Sequence, residues 1–575
     1  MPYVVTQSCC ADASCVVACP VNCIHPAPGE PGFAEAEMVY VDPRACVDCG
    51  ACATACPVDA IKPHTRLSDA ELPFLDLNAS YFDAFPHADR AEVAPVPQQR
   101  RLLRQGPFRV AVVGAGPAGM YTADELLKHP EISVDVLDRL PTPYGLARAS
   151  VAPDHLTTRQ VSRLFAHVER LPRFGYLLDV GVGTADEVAE GSASLTHDEL
   201  AAAYDAVVYA VGASADRRLG IDGEDLPGSM AATDLVGWYN GHPDHQHHDV
   251  RLDADALPEG RVVVVGNGNV ALDVARLLAS GAARIEATDM ALPAREALTA
   301  SGVREVVVLG RRGPAQAAFT VPEIVGLLGL AADGAIEVVV DTAGEALPDD
   351  EIGSLLGQFA ACTPAPGARR LVLRFLASPT RIAGEGRVSC VEVAITRLVE
   401  RPDGAVAAEP TGETETIPCG LVLRSVGYRG RAVAGLPFDH ERGVVPHERG
   451  RVAAGIYVAG WIKRGPTGFL GTNKADAEET VARILDDLDA AATPAPTAPG
   501  VEGLLASRGS RPVDLEGWRR IAAAEQAHGA THGVPRLPIT DISEQRRVAA
   551  DEAGGPAEYA ARARGRLRAG RRLLR

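Results

Sequence analysis

The stretch CVDCGACATACP, residues 46–57, decides the fold of the first part of this chain. Its four cysteines are spaced C-x2-C-x2-C-x3-C and a proline follows the last of them, which is the pattern of loops that bind iron–sulfur clusters. Three thiolates of such a loop bind one cluster, while the fourth is carried away by the following helix and binds another. The run therefore predicts a partner run elsewhere in the chain.

The partner run is CCADASCVVACP, residues 9–20, and it carries one change. Cys9, Cys15 and Cys19 keep the required spacing, but the third residue after Cys9 is Asp12, where the second thiolate is expected. The cluster bound by Cys9, Cys15 and Cys56 is thus predicted to have one corner without a thiolate. It is either a three-iron cluster with that corner empty, or a four-iron cluster whose last iron is bound by Asp12 or by water.

The other predicted cluster has four thiolates and is expected to be an ordinary four-iron cluster; its ligands are Cys19, Cys46, Cys49 and Cys52. Cys10 and Cys23 are left over, and each is either a spare ligand or a small buried thiol beside a cluster. The prolines that end both runs argue against a disulfide framework and against a zinc site. Residues 1–66 consequently resemble a two-cluster bacterial ferredoxin with seven or eight irons.

Composition narrows the class of protein further. The 575 residues are 46% hydrophobic, which allows three or four domains, each with its own core. The net charge of −19 argues against nucleic acid as a partner. No run of eighteen apolar residues occurs, which argues against membrane insertion, and the N-terminus does not have the pattern of a signal peptide. Cysteines committed to iron suit a reducing compartment, so the predicted location is the cytoplasm.

A dinucleotide fingerprint begins the second part of the chain. The apolar run RVAVV leads into GAGPAG over residues 109–119, which predicts a buried parallel strand turning into a helix. Gly114 permits the tight turn, Gly116 lets a pyrophosphate approach the backbone, and Gly119 brings the helix close to the strand. The next predicted strand ends at Asp138, where an acidic side chain can accept hydrogen bonds from ribose hydroxyls.

A second fingerprint follows in RVVVVGNGNVA, residues 261–271. Its last glycine position is Ala271, which is still small enough for the helix to pack closely on the sheet. The next strand ends in GRRG instead of an acid, and the guanidinium groups of Arg311 and Arg312 suit a 2′-phosphate, unless they only solvate the strand end. The first site therefore suits FAD and the second NADP(H).

The C-terminal part adds the strand and turn GIYVAGW, residues 455–461, and the glycine-rich segment KRGPTGFLG, residues 463–471, whose amides can face a flavin ring. With these segments, residues 107 to about 548 resemble the adrenodoxin-reductase type of ferredoxin–NADP reductase. The resemblance implies an α/β protein: a small α+β two-cluster ferredoxin domain followed by two Rossmann-like domains, an FAD domain with an inserted NADP domain.

The resemblance also implies roles for individual residues. FAD contacts are implied for Ala118, Asp138, Leu146, Val180, Trp461, Gly468, Phe469 and Leu470. NADP(H) contacts are implied for Asn267, Gly268, Asn269, Val270, Arg311, Arg312 and Glu323. The family usually has glutamate where this chain has Asp138, so its ribose contact has less support than the others. His155 and Glu323 are the catalytic candidates, His155 as a proton relay or substrate-orienting group, with a structural histidine as the alternative.

The predicted domain boundaries follow from these segments. They are 1–66 for the ferredoxin domain, 67–106 for a connector, 107–215 and 426–548 for the two parts of the FAD domain, 216–425 for the NADP domain, and 549–575 for an arginine-rich tail. An Ala/Pro-rich surface link is predicted at 489–500. The tail is interpreted as a frayed helix or as a segment that docks on an acidic surface.

These features together predict a ferredoxin–NADP+ reductase that passes electrons from NADPH through FAD, one at a time, to its own clusters. The final acceptor is expected to be an external ferredoxin or a monooxygenase such as a cytochrome P450. One alternative is an electron-input subunit resembling the small subunit of glutamate synthase, which the segments around Arg311 and Trp461 disfavour. Another is a redox-responsive binding protein without turnover, which the intact fingerprints disfavour.

Overall fold

The computed structural model describes residues 2–94, 99–183, 193–402, 404–552 and 555–562. The chain forms two compact units, the first from residues 1–151, 155–215 and 428–575, the second from residues 152–154 and 216–427. No helix in the described ranges is long and apolar enough to cross a membrane. Most of the arginine-rich tail, which the sequence analysis interpreted as a frayed or docking segment, lies outside the described residues.

The first unit begins with two antiparallel strand pairs and two short helices. Their bounds are β1 Tyr3–Val5, α1 Ser14–Ala18, β2 Ile24–His25, β3 Tyr40–Val41, α2 Ala51–Ala55 and β4 Ile61–Pro63. Strand β1 pairs with β4 and β2 pairs with β3. Both helices end at the fourth cysteine of their run, where Cys19 and Cys56 have extended backbone, because the proline that follows cannot continue a helix.

Helix α3, Pro73–Ala84, follows within the segment interpreted as a connector. Its buried Asn78 joins it to the strand pairs: the side-chain oxygen accepts bonds from the amides of Val5 (3.2 Å) and Val41 (3.0 Å), and the side-chain nitrogen donates to the carbonyl of Val5 (2.9 Å). The sequence analysis did not predict this helix. Its Asn78 contacts make it part of the segment that carries both cysteine runs, residues 2–94, which we call the iron-binding segment after its predicted ligands.

The rest of the first unit surrounds a six-stranded sheet of order β22-β23-β10-β5-β6-β7. The strands are β5 Phe108–Val113, β6 Ile132–Asp138, β7 Phe174–Leu178, β10 Ala206–Tyr209, β22 Arg451–Ala453 and β23 Ile456–Val458, with a separate pair β8 Val180–Val182 and β9 Ala193–Leu195. The helices are α4 Pro117–Leu127, α5 Gly145–Ala149, α6 Ser162–Val168, α7 His197–Ala203, α14 Trp461–Arg464, α15 Thr472–Asp489, α16 Val501–Ser507, α17 Leu515–Ala530 and α18 Ile542–Ala549. All neighbouring strands are parallel except β22 and β23. Buried on both faces, the inner strands read as continuous apolar runs.

The second unit repeats this architecture with a parallel sheet of order β12-β20-β13-β14-β16-β15. Its strands are β12 Ser229–Ala231, β13 Arg261–Val265, β14 Glu305–Leu309, β15 Ile336–Asp341, β16 Arg369–Arg374 and β20 Leu421–Arg424, and its helices are α8 Ala232–Asn240, α9 Asn269–Ala279, α10 Ala282–Glu286, α11 Leu292–Thr299, α12 Val321–Ala332 and α13 Glu351–Gln358. A three-stranded antiparallel sheet adds β17 Ala377–Ala383, β18 Cys390–Glu400 and β19 Val406–Pro418.

Short elements complete the description. The strands β11 Ala215–Asp216 and β21 Tyr428–Arg429 stand where the chain enters and leaves the second unit. The 3₁₀ turns are Phe33–Glu35, His64–Arg66, Asp69–Glu71, Thr158–Val161, Pro243–His245, Pro258–Gly260, Pro314–Gln316 and Phe359–Ala361. This architecture of two dinucleotide-type sheets preceded by a small iron-binding segment confirms the predicted α/β class.

Candidate redox site

Four cysteines from the two runs line one cavity near the start of the chain. We call Cys19, Cys46, Cys49 and Cys52 the Cys49 set. Cys19 and Cys52 are buried, whereas Cys49 is exposed and nearby Val47 is 58% exposed, so the set reaches the surface of the unit at Cys49. The structure thus brings Cys19 of the first run beside three cysteines of the second run, and their binding of one shared cluster stays a prediction.

The leftover Cys23 also lines the cavity of the Cys49 set. Its sulfur lies 3.4 Å from the sulfur of Cys19, and its backbone amide donates to the same sulfur at 3.4 Å. Hydrogen bonding from Cys23 lowers the pKa of Cys19 to about 6 and that of Cys46 to about 5. Cys23 thus stabilises negative charge on two ligand sulfurs.

The second group, which we call the Asp12 set, consists of Cys9, Asp12, Cys15 and Cys56. Asp12 is only 6% exposed, and Cys15 is buried. Burial raises the pKa of Cys9 to about 12, with further increases from the charges of Cys56 and Asp12, and burial likewise raises the pKa of Cys15. Asp12 therefore lies among the three cysteines with which its position in the run groups it.

Both sets fit iron–sulfur clusters. All cysteines of the two sets are free of disulfide bonds, and each set brings ligands from both runs together. Buried thiols with raised pKa values are unfavourable as thiolates unless a cation compensates them, and metal binding supplies that compensation while releasing the protons. Backbone amides already point at ligand sulfurs, from Ala11 to Cys9 (3.4 Å) and from Ala60 to Cys56 (3.3 Å).

The first dinucleotide fingerprint has the geometry that its glycines predict. Gly114 has φ of +108°, and a Cβ there would lie 2.4 Å from the carbonyl oxygen of Ala210. A Cβ on Gly119 would lie 1.9 Å from the carbonyl oxygen of Gly114, so only glycine permits this approach of helix to strand. At Gly116, by contrast, the nearest atom to an added Cβ is the Cα of Gly145 at 4.0 Å. The loop is open at the position where a pyrophosphate is expected, and so it fits FAD.

Residues implied to contact FAD lie around this loop. Asp138 ends strand β6, and its carboxylate accepts hydrogen bonds from the amides of Ala115 (2.9 Å) and Leu140 (3.0 Å). Leu146 is 41% exposed on helix α5, and Val180 is buried in strand β8. Their contacts with FAD, and that of Asp138 with ribose, stay predictions.

The glycine-rich C-terminal segment approaches the same fingerprint. A Cβ on Gly460 would lie 2.5 Å from the Cβ of Ala118, so the turn before Trp461 packs directly on the first turn of α4. The indole nitrogen of Trp461 donates to the carbonyl of Thr467 (3.2 Å). This bond holds the loop that follows α14 against the first residue of that helix. The remaining residues implied to line the flavin, Gly468, Phe469 and Leu470, are half-buried in this loop.

The second unit repeats the fingerprint geometry. Gly266 has φ of +108°, and a Cβ there would lie 2.2 Å from the carbonyl of Ser425, whereas Gly268 has only the Cβ of Ala318 at 4.0 Å. The predicted nucleotide residues Asn267, Gly268, Asn269 and Val270 are half-buried at the start of α9. The open side at Gly268 and the helix N-terminus fit a nucleotide pyrophosphate.

The two arginines predicted for a 2′-phosphate follow strand β14. Arg311 is exposed and Arg312 is half-buried. Among the described residues, neither forms an ion pair with a carboxylate, although their backbone carbonyls accept bonds from Thr396 and Leu376. Two guanidinium groups without carboxylate partners suit an incoming phosphate. The contact itself stays a prediction.

Glu323 lies in a buried charge cluster that the sequence analysis missed. Arg276 of α9 contacts Glu323 (3.4 Å), Asp273 (2.7 Å) and Asp154 (2.9 Å). Burial alone would lower the pKa of Arg276, but the three carboxylates outweigh it and raise the pKa well above its usual value. Glu323 is therefore held by a permanent cation, and no local pattern in the sequence predicts this pairing of distant residues. His155 is half-buried, and its catalytic role stays a prediction.

The iron-binding segment is packed into the core of the FAD-type fold. Cys10, Val58 and Ala60 belong to one continuous hydrophobic cluster with Tyr121 of α4 and the strands of the large sheet. The leftover Cys10 is 4% exposed in this cluster, which favours the prediction of a small buried thiol over a spare ligand. The two segments of the first unit therefore share one apolar core, and the iron ligands beside Cys10 are fixed relative to the FAD-type sheet.

Polar contacts reinforce this packing beside the Asp12 set. The amide of Gly471 donates to the carbonyl of Cys10 (2.7 Å), and the ammonium group of Lys474 donates to the carbonyl of Asp12 (3.3 Å) and to the hydroxyl of Ser14 (3.1 Å). We call these five residues the joint. The sequence analysis missed Gly471 and Lys474 as contacts because they lie more than 450 residues from their partners.

Comparisons with known proteins agree with this arrangement. Residues 39–62 match the 4Fe-4S binding domain, and residues 108–308 match the pyridine nucleotide-disulphide oxidoreductase family. The solved structure of FprA, an oxidoreductase of Mycobacterium tuberculosis, aligns with a TM-score of 0.71 at 41% identity, over 77% of this chain and 100% of FprA. The fold and the sites thus define a flavoprotein oxidoreductase that carries an iron–sulfur segment.

Curated relatives match either nearly the whole chain or about three quarters of it. The chain is 46% identical over 96% of its length to a probable ferredoxin/ferredoxin–NADP reductase of Mycobacterium leprae, covering 98% of that protein. It is 39% identical over 76% of its length to human mitochondrial NADPH:adrenodoxin oxidoreductase, covering 91% of that protein. The chain belongs to the ferredoxin/ferredoxin–NADP reductase family. This result confirms the resemblance that the two cysteine runs and the two fingerprints predicted.

Proposed function

We propose that this enzyme oxidises NADPH and delivers the electrons singly, by way of FAD and its own iron–sulfur segment, to an external ferredoxin or a monooxygenase such as a cytochrome P450. Relatives named as NADPH-dependent reductases of ferredoxin and adrenodoxin support the donor and the class of acceptor. The reducing environment implied by the free cysteines supports a cytoplasmic location. The observation that carries the proposal is the 2.7 Å bond between Gly471 and Cys10.

That bond matters because it joins the two halves of the electron path. Gly471 ends the loop that is proposed to line the flavin, and Cys10 lies between two members of the Asp12 set. When bound, FAD supplies the exchange between two-electron nicotinamide chemistry and one-electron iron chemistry. The chain holds its iron ligands against that loop permanently, so no diffusive encounter between separate proteins is needed.

The proposed roles of the nucleotide residues follow from their positions. The open loops at Gly116 and Gly268 receive the pyrophosphates of FAD and NADP(H), and Arg311 and Arg312 bind the 2′-phosphate. Trp461 and Gly468–Leu470 cover the flavin ring. Glu323, fixed by Arg276, orients the nicotinamide half of the nucleotide. His155 relays a proton at the flavin site or orients the substrate there.

Two clusters are proposed, an ordinary four-iron cluster on the Cys49 set and a three-iron or aspartate-containing four-iron cluster on the Asp12 set. The Cys49 set is proposed as the exit, since Cys49 and Val47 are exposed there.

The donor is tested by anaerobic stopped-flow reduction with NADPH and, separately, NADH. We expect rapid flavin bleaching with NADPH and a reduced-iron signal in freeze-quenched electron paramagnetic resonance spectra. The double variant Arg311→Gln, Arg312→Gln should lose most of the preference for NADPH, because each charged hydrogen bond contributes about 1.5–3 kcal/mol. Equal rates with NADH and NADPH in the unmodified protein would contradict the proposed donor.

The exit is tested at Val47. Val47→Lys places a cation beside the exposed ligand, and we expect slower reduction of external ferredoxin while the rate of flavin reduction by NADPH stays the same. Val93→Lys, at another surface residue of the same segment that is 62% exposed and lies outside both cysteine runs, serves as the matched control. A normal rate with external acceptors in Val47→Lys would argue for a different exit.

A further inference from the structure

The joint contains Asp12, the residue at which the first cysteine run departs from the four-cysteine pattern. Ser14 donates from its amide (3.3 Å) and its hydroxyl (2.5 Å) to the carboxylate of Asp12. Lys474 contacts the same Ser14 hydroxyl and the Asp12 carbonyl. A continuous chain of hydrogen bonds therefore runs from helix α15 of the FAD-type fold to the Asp12 carboxylate.

The backbones on the two sides of the joint approach so closely at Gly471 that no side chain fits there. A Cβ on Gly471 would lie 2.1 Å from the carbonyl carbon of Ala11 and 2.3 Å from the amide nitrogen of Asp12. Gly471 has φ of −70°, an ordinary value for any residue, so glycine is needed for proximity alone. Lys474, one helical turn further along α15, is thereby brought to a fixed distance from Asp12.

Charge gives this contact a chemical consequence. The Asp12 carboxylate is almost fully buried, and a buried anion beside three further ligand anions is costly without a cation. The half-buried ammonium group of Lys474 is positioned to supply one. A fixed positive charge stabilises the more negative, reduced state of a neighbouring iron centre and so raises its reduction potential.

We propose that Lys474 is a positioning residue of the Asp12 set: it orients Asp12 through Ser14 and raises the reduction potential of the iron centre bound there. None of the five residues of the joint belongs to the Cys49 set. We therefore expect the effect of Lys474 at the iron centre of the Asp12 set. The inference rests on the proposed function, because it assumes that electrons pass through the iron centre of the Asp12 set. The readout below requires no NADPH.

The test is a dye-mediated redox titration of the full-length holoenzyme under electron paramagnetic resonance, in the wild-type protein, Lys474→Met and Lys474→Arg. At a fixed applied potential, we expect the ratio of reduced to oxidised Asp12-set centre to fall about tenfold in Lys474→Met. Lys474→Arg should restore it. The Cys49-set centre is the internal control and should titrate as in the wild-type protein in all variants.

Ser14→Ala provides a second variant that keeps the lysine and breaks the hydrogen-bond chain. It should broaden or shift the signal of the Asp12-set centre without changing that of the Cys49 set. Loss of only the Asp12-set iron in Lys474→Met, with retention in Lys474→Arg, would also support the positioning role. Unchanged titrations in Lys474→Met, or equal shifts of both centres, would overturn it. Failure of NADPH to reduce the wild-type flavin would instead reject the proposed function and leave this result standing.

Discussion

The Asp12 set and the Cys49 set come from one repeated pattern but differ in environment at one equivalent position. Asp12 and Cys49 are the equivalent third residues after Cys9 and Cys46. Asp12 is 6% exposed and belongs to the joint with the FAD-type fold, whereas Cys49 is exposed to solvent. The repeat is therefore altered at the position that faces the reductase and intact at the position that faces outward.

This difference indicates that the surroundings of each set, and not its sequence pattern alone, set the redox properties of the centre it is proposed to bind. In the Cys49 set, Cys19 accepts a hydrogen bond from the amide of Cys23. In the Asp12 set, the carboxylate accepts a hydrogen bond from Ser14, whose hydroxyl in turn accepts one from Lys474. Hydrogen bonds, burial and nearby charge are the means by which a protein tunes an iron–sulfur centre. We expect the two centres to respond separately to mutation.

The largest expected effect breaks the joint itself. Gly471→Ala introduces a methyl group about 2 Å from the backbone of Ala11, so the iron-binding segment must shift. Electron transfer slows as donor and acceptor move apart, and we expect reduction of the iron centres by NADPH to slow several-fold while flavin reduction keeps its rate. Hydrogen–deuterium exchange should rise in peptides covering residues 3–17 and 466–482.

Gly503→Ala is the matched control for this variant. Gly503 lies in helix α16, and no atom lies within 4 Å of an added Cβ there. Its exchange pattern and rates should equal those of the unmodified protein. Normal exchange in Gly471→Ala would show that the two segments are not held together in solution.

An intermediate effect removes the difference between the two sets. Asp12→Cys restores the four-cysteine pattern, and we expect a stable four-iron cluster in place of a three-iron or labile one. Iron analysis and Mössbauer spectra measure the change. Asp12→Asn is the control, because it keeps the shape of the side chain without adding a thiolate. Identical iron content and spectra in Asp12→Cys and the unmodified protein would contradict the assignment of this corner.

The smallest expected effect concerns Cys23. Cys23→Ala removes a hydrogen bond to Cys19, and one such bond contributes about 0.5–1.5 kcal/mol, or roughly 20–65 mV for one electron. Because the bond stabilises negative charge, the potential of the Cys49-set centre should fall by about this amount in a redox titration. Cys10→Ala, which removes the other leftover cysteine, should leave that potential unchanged. A shift confined to the Asp12 set would reverse the assignment of Cys23.

Much of the fold could be predicted because its signals are local. Gly119 is required by a contact within its own strand–turn–helix unit, Gly114 and Gly266 are required by the positive φ of the same turn, and the prolines after Cys19 and Cys56 end their helices where the sequence indicates. Helix α3 was missed because its place in the fold depends on Asn78 bonding to strands more than 30 residues away. The Arg276 cluster was missed for the same reason.

The sequence by itself determined the class of protein and its flavin, NADP and iron–sulfur chemistry, and it predicted an exchange of ligands between the two runs. These depend on spacing along the chain, which covalent geometry converts directly into position. Only the tertiary structure decided that Asp12 is buried while Cys49 is exposed, and that Gly471 and Lys474 meet Cys10, Asp12 and Ser14. Contacts across hundreds of residues arise from packing in a shared core, and no local pattern encodes them.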